Sequence, residues 1–179
     1  EMGVNYVMLV SSNAGLWAYN IGDTVQFTST NPYRVMVSGR IKHFISAFGE
    51  HVIAKEVEEA MQEATAATKA RISEFTVAPQ ISPKNEELPY HEWFIEFEKE
   101  PEDLFKFSKI LDKSLQQQNS YYFDLIEGKI LQPLKISRVP ENGFQQYMKS
   151  IGKLGGQNKL PRLANDRKIA EVLEKIIKA

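Results

Sequence analysis

The sequence has 179 residues, of which 42% are hydrophobic, 25% charged and 11% aromatic, which suits one domain or a domain with a piece of another and excludes a disordered chain. Its 22 basic and 23 acidic side chains leave a net charge of −1, so no electrostatic case exists for a nucleic-acid partner. Without cysteine there is no disulfide, iron–sulfur cluster or thiolate zinc site. The three histidines, His43, His51 and His91, make no metal-ligand spacing on a helix, and no metal site is expected. The longest clean apolar run, Tyr6–Val10, is far shorter than the ~20 residues that cross a bilayer. No charged start and apolar core of a secretory signal is present. A cytoplasmic protein without a membrane partner is expected, its first residues belonging to the middle of a larger sheet.

Residues 4–40 alternate strand formers with turn residues. Strands are predicted at Asn5–Ser11, Leu16–Tyr19, Thr24–Ser29 and Tyr33–Ser38, broken by Asn13-Ala14-Gly15, Gly22-Asp23 and Asn31-Pro32. Four short strands with tight turns read as a β meander or part of a barrel. A sheet of that size needs a partner surface.

From about residue 41 the pattern changes. Ile53, Val57, Ala60, Met61 and Ala64 recur at helical spacing and predict a helix over roughly 53–70. A strand at Ile72–Ile81 and another at His91–Glu98 follow. The second sets Trp93, Ile95 and Phe97 on one face against Glu92, Glu96 and Glu98 on the other, with Phe94 interrupting the polar side. Pro101 fits a first helical turn, and Leu104, Phe107, Leu111, Leu115 and Tyr122 mark one long helix. Leu131–Val139 is a predicted strand, with Pro133 pointing to an edge or a strand start. Helices are predicted at about 143–153 and 166–178. The order α-β-β-α-β-α-α defines an α+β fold, a mostly antiparallel sheet with helices on one face.

Three constellations could carry chemistry. Gly22-Asp23 reads either as an ordinary turn or as a carboxylate at a strand mouth that accepts hydrogen bonds from vicinal hydroxyls, such as those of a ribose. Gly39-Arg40-Ile41-Lys42-His43-Phe44 reads either as a charged hairpin or as a hinge whose Arg40 offers fixed donors to a sugar or phosphate. Lys159, in Gly155-Gly156-Gln157-Asn158-Lys159-Leu160-Pro161-Arg162, is either a solvated surface lysine or a cation delivered by a loop to a phosphoryl group.

The order of these three resembles a known family. Leu16-Trp17-Ala18-Tyr19-Asn20-Ile21-Gly22-Asp23 and the stretch Gly39–Glu58 are similar to late motifs of the adenylate-forming superfamily of acyl-CoA synthetases and luciferases. Ala14-Gly15-Leu16-Trp17, with Tyr19 and Gly22-Asp23, and Asn158-Lys159-Leu160-Pro161-Arg162 more closely resemble the auxin-responsive acyl acid amido synthetases. The resemblance covers nearly the whole chain but only the C-terminal third or so of such an enzyme. It implies residues 1–38 as the last strands of an N-terminal adenylation domain, 39–44 as a hinge and 45–179 as a C-terminal lid. It implies a two-step ligase using ATP, with AMP as product: a carboxylic acid becomes an acyl-adenylate, and an amine or amino acid then displaces AMP. By the same resemblance Asp23 holds the ribose, with Tyr19 beside the nucleotide and Arg40 on ribose or phosphate. Lys159 approaches the α-phosphate, and Lys42 and His43 stand at the hinge. Mg2+ is expected with ATP, its ligands lying in the N-terminal part of the same enzyme. Plant members carry Tyr-Arg before Gly-Asp where this sequence has Asn20, and the Phe44–Val52 hairpin is more like the bacterial branch.

Two other readings compete. One is a non-catalytic α+β module that binds a small ligand or regulates a partner. Its RNA-binding version is weaker, because the glutamates between the aromatics of His91–Glu98 repel phosphate. The other keeps the adenylation but ends in a thioester.

Overall fold

In the computed structural model, which describes residues 1–40, 44–84, 87–155 and 158–178, the chain divides into two units, Glu1–Phe44 and Ile45–Ala179. The expected hinge residues Lys42 and His43 lie outside the described residues.

The first unit is an antiparallel meander of β1 (Asn5–Val10), β2 (Tyr19–Thr30) and β3 (Tyr33–Arg40), in that spatial order. Sequence signals predict four strands; three form, because Gly22-Asp23 does not turn. Asn20 pairs with Leu9 and Thr24 with Val7, so Ile21, Gly22 and Asp23 lie opposite Met8 alone. Gly22 takes a φ of 82°, and its N–H donates to Asn20 Oδ1 at 2.8 Å. The result is a bulge inside one continuous strand. Of the expected strand Leu16–Tyr19, only Tyr19 joins the sheet.

The second unit begins with two short paired strands, β4 (Phe44–Ile45) and β5 (Val52–Ile53). The latter runs straight into α1 (Ala54–Thr68). A three-stranded sheet follows, made of β6 (Arg71–Gln80), β7 (Tyr90–Lys99) and β8 (Lys135–Val139), with β7 in the centre. β6 and β7 are antiparallel, and β8 is parallel to β7. A parallel neighbour requires a crossover, and α2 (Leu104–Gln118) with α3 (Ser120–Glu127) supply it. Pro133 falls before β8, which is an edge strand. The long helix read from Leu104 to Tyr122 is interrupted at Asn119, whose backbone is extended at φ −126° and ψ 104°. Its side chain accepts from Tyr122 N at 2.9 Å and so starts a new helix where a polar residue favours a cap over a helix interior.

Strand alternation sorts the core into two clusters. Phe75, Val77, Trp93 and Ile95 share one face and pack on Val57, Ala60, Met61 and Ala64 of α1 and Phe107, Leu111 and Leu115 of α2. The opposite face carries Ala78, Phe94 and Val139, which pack on α4 (Gly143–Ser150) and α5 (Lys168–Lys178) through Phe144, Tyr147, Ile169, Ala170 and Leu173. The α+β class holds, but helices cover both faces of the sheet rather than one.

The reason is local. Two of the polar residues on the second face of β7, Glu92 and Glu96, are buried with partners, which an alternating pattern cannot display. Glu92 accepts from Arg167 Nη2 at 2.7 Å and from Ser137 Oγ at 2.5 Å. Glu96 accepts from Asn142 N at 3.0 Å and Phe144 N at 3.2 Å, which places a carboxylate at the N-terminus of α4. Phe94→Ala is expected to destabilise this unit by about 3–5 kcal/mol in denaturant unfolding, as for a fully enclosed aromatic. A loss near zero would return that face to solvent.

Candidate active site

Asp23 and Arg40 are cross-strand partners in the β2–β3 register. Asp23 is half-buried beside the Gly22 bulge, and it follows two residues displaced from regular pairing with β1. Below it the strands are tied by small polar contacts: Thr24 and Ser38 are buried and their hydroxyls meet at 3.2 Å. Gly39 sits opposite Thr24, and a Cβ there would approach Thr24 Oγ1 to 3.4 Å. Tyr19 lies at the start of β2, paired with Val10 and 53% exposed. The bulge separates it from Asp23, so the two do not follow one simple alternation of faces. The Arg40 side chain is outside what the structure describes; its backbone position closes β3.

Lys159 is exposed, and its setting is asymmetric. On its C-terminal side the chain is held immediately. Leu160 enters the second core cluster, and Pro161 O accepts from Thr76 Oγ1 at 2.7 Å. Val77 N donates to Arg162 O at 2.9 Å, and Ala164 N donates to Val77 O at 3.0 Å, so residues 162–164 run beside β6 like an added strand. Arg162 stacks over the Phe75 ring at 4.5 Å, donates to Phe75 O at 3.1 Å and pairs with Glu74. On its N-terminal side Asn158 is exposed, and Gly155 has a φ of 97°. A cation is thereby presented at the end of a firmly clamped segment.

The pairing of Glu50 with His91 is not visible in the sequence. Both are fully buried, with His91 Nε2 donating to Glu50 Oε1 at 2.8 Å. Glu50 Oε2 accepts from Phe48 N at 2.8 Å, within the connection between β4 and β5. The His91 ring lies between Phe48, at 6.2 Å, and Tyr122, at 5.1 Å, and both rings are stacked on it. Tyr122 in turn donates to Asp112 Oδ1 at 2.7 Å, and Leu134 N donates to the same oxygen at 3.1 Å. His91 Nδ1 has no hydrogen-bond partner among the described residues. Burial alone would raise the Glu50 carboxyl, but the hydrogen bond and charge of His91, with the backbone N–H groups, hold it below 4.5. Burial likewise pushes the Tyr122 hydroxyl well above its ordinary value, reinforced by the charge of Asp112 and the bond to it. The signal available in the sequence was a histidine at the head of a strand otherwise rich in apolar residues. Its partner, some forty residues earlier, stands in Phe48-Gly49-Glu50 beside the charged hairpin motif, and nothing in that motif marks the pairing with His91.

Among the described residues no group of three or more His, Asp or Glu side chains could hold a metal ion. None of the helices there is long and apolar enough to cross a membrane.

The fold is similar, along nearly the whole chain, to that of solved structures. Among the solved structures that match are GH3.15 acyl acid amido synthetase and AtGH3.15 acyl acid amido synthetase in complex with 2,4-DB. The first aligns at a TM-score of 0.71 and 19% identity over 98% of this chain and 34% of its own. The second aligns at 0.69 and 18% over 98% and 33%. The chain thus spans about a third of the length of these structures. The sequence itself matches the GH3 family central domain over residues 1–40 and the GH3 family C-terminal domain over residues 55–168. The chain belongs to the GH3 family. No curated protein matches it by sequence.

The Glu50 carboxyl, lowered in the folded state, contributes stability that is present above its unfolded value of 4.5 and lost as pH falls through the folded value. Glu50→Gln is therefore expected to be less stable than the parent near neutral pH, with the gap closing in acid below 4.5. Denaturant midpoints across that range check it; a gap constant with pH would assign the loss to packing.

Proposed function

We propose that this chain is the C-terminal part of an ATP-dependent, adenylate-forming ligase that joins a carboxylic acid to an amine or amino acid. In this reading residues 1–38 are the last strands of the adenylation domain, 39–44 the hinge and 45–179 the lid of a cytoplasmic enzyme. The remaining length of the enzyme supplies the triphosphate cradle and the acyl pocket.

The observation that carries the reading is the presentation of Lys159, exposed at the mouth of a segment clamped to β6. In the first step a carboxylate attacks the α-phosphorus of ATP; the new C–O–P link forms and pyrophosphate leaves. Two anions must meet there, and a positioned cation stabilises the charge that develops in the transition state. Asp23 accepts hydrogen bonds from the ribose hydroxyls, Tyr19 lines the nucleotide pocket, and Arg40 contacts ribose or phosphate. The Asp23–Arg40 register supports this by bringing an acceptor and a donor residue to neighbouring strands. In the second step the amine attacks the acyl carbon and AMP leaves, after the lid has turned about Lys42 and His43. ATP brings Mg2+ with it, and this chain offers no cluster of donors for the ion among its described residues.

Single-turnover adenylation by the full-length enzyme tests the reading. Lys159→Ala is expected to slow it roughly 100-fold or more with ATP affinity mostly intact. Asp23→Ala is expected to weaken ATP binding instead. Unchanged adenylation in the lysine variant would remove Lys159 from the chemistry. The 179-residue chain alone is expected to catalyse no ATP–pyrophosphate exchange, and measurable exchange would refute the division of labour. Assays with amines and then with coenzyme A separate amide from thioester formation; neither product would favour a binding module.

A further inference from the structure

A carboxylate and an imidazole withdrawn completely from water are costly, and apolar residues of similar size would fill the same space more cheaply. The Glu50–His91 pair nevertheless spans two separate pieces of the second unit. Glu50 belongs to the connection between β4 and β5, directly after the expected hinge, and His91 belongs to the central strand β7. Further ties hold the same connection. Ser46 N donates to Asn165 Oδ1 at 2.9 Å, and Asn119 Nδ2 reaches His51 O at 3.5 Å and Glu56 Oε2 at 3.2 Å. Glu56 Oε2 also accepts from Ile53 N at 2.9 Å, which fixes the exit into α1. From His91 the linkage continues through β7 to β6, and from β6 to residues 160–164 and Lys159.

We propose that the buried Glu50–His91 pair is a positioning device, pinning residues 45–53 to the sheet so that they and Lys159 turn as one body. This rests on the ligase reading and adds to it a rigid lever: rotation at the hinge is transmitted to Lys159 without being absorbed in the β4–β5 connection. Glu50 and His91 touch no substrate in this scheme.

The test uses the full-length enzyme with His91→Gln, which keeps a donor toward Glu50, and His91→Leu, which removes it. Hydrogen exchange of the 45–53 amides is expected to quicken by at least about tenfold in His91→Leu and less in His91→Gln, while amides of α5 stay as protected as in the parent. The adenylation kcat is expected to fall in the same order, about tenfold in the leucine variant, with KM for ATP unchanged. Equal protection of 45–53 in all three proteins would overturn the proposal. So would an adenylation kcat that ignores the loosening, or a change carried by KM alone. If His91→Leu does not fold, His91→Gln against the parent decides by the same two readouts. A parent enzyme without ATP–pyrophosphate exchange would instead sink the ligase reading, and the amide protection would still report whether the pair pins the connection.

Discussion

Everything in the second unit is arranged around a central strand buried on both faces. A strand in that position must satisfy each charge it brings inside, and β7 brings two carboxylates and an imidazole. Each is met by a different element: Glu92 by Arg167 and Ser137, Glu96 by the first turn of α4, and His91 by Glu50. Those partners are distant in sequence, so satisfying β7 fixes where the helices and the β4–β5 connection must lie. The apolar clusters supply most of the driving force, but they are tolerant of sliding and rotation; directional bonds to buried charge are not.

That arrangement also explains what could be read from the sequence. Helical periodicity found α1, α4 and α5, and β-branched and aromatic runs found β6 and β7 to within a residue or two. These signals are local, and local patterning determined them. Three features escaped because they depend on partners elsewhere. Glu92 and Glu96 alternate with apolar residues in the sequence, but a charged residue carries no mark of the arginine or helix end that receives it. Asn119 looked like one polar position in a long helix, yet its side chain serves better as a cap. Gly22-Asp23 has the chemistry of a turn, and only pairing with both neighbours keeps it within β2 as a bulge.

The candidate site was legible to a different degree. Asp23, Arg40 and Lys159 stood out through motif order and family resemblance rather than through any physical pattern, since a glycine-aspartate pair and a surface lysine are common. The clamp behind Lys159 was invisible in sequence: Thr76, Val77 and Glu74 on β6 hold residues 161–164 through backbone and charge contacts. Membership in the GH3 family rests on both units, with residues 1–40 and 55–168 matching successive domains of the same architecture.

The strip formed by residues 162–164 has one more effect. β6 would otherwise end the sheet with an open row of amide and carbonyl groups, a template for any passing extended chain. Covering part of that rim with the molecule's own backbone denies it to foreign strands, so the clamp that presents a cation also guards the sheet against edge-to-edge aggregation.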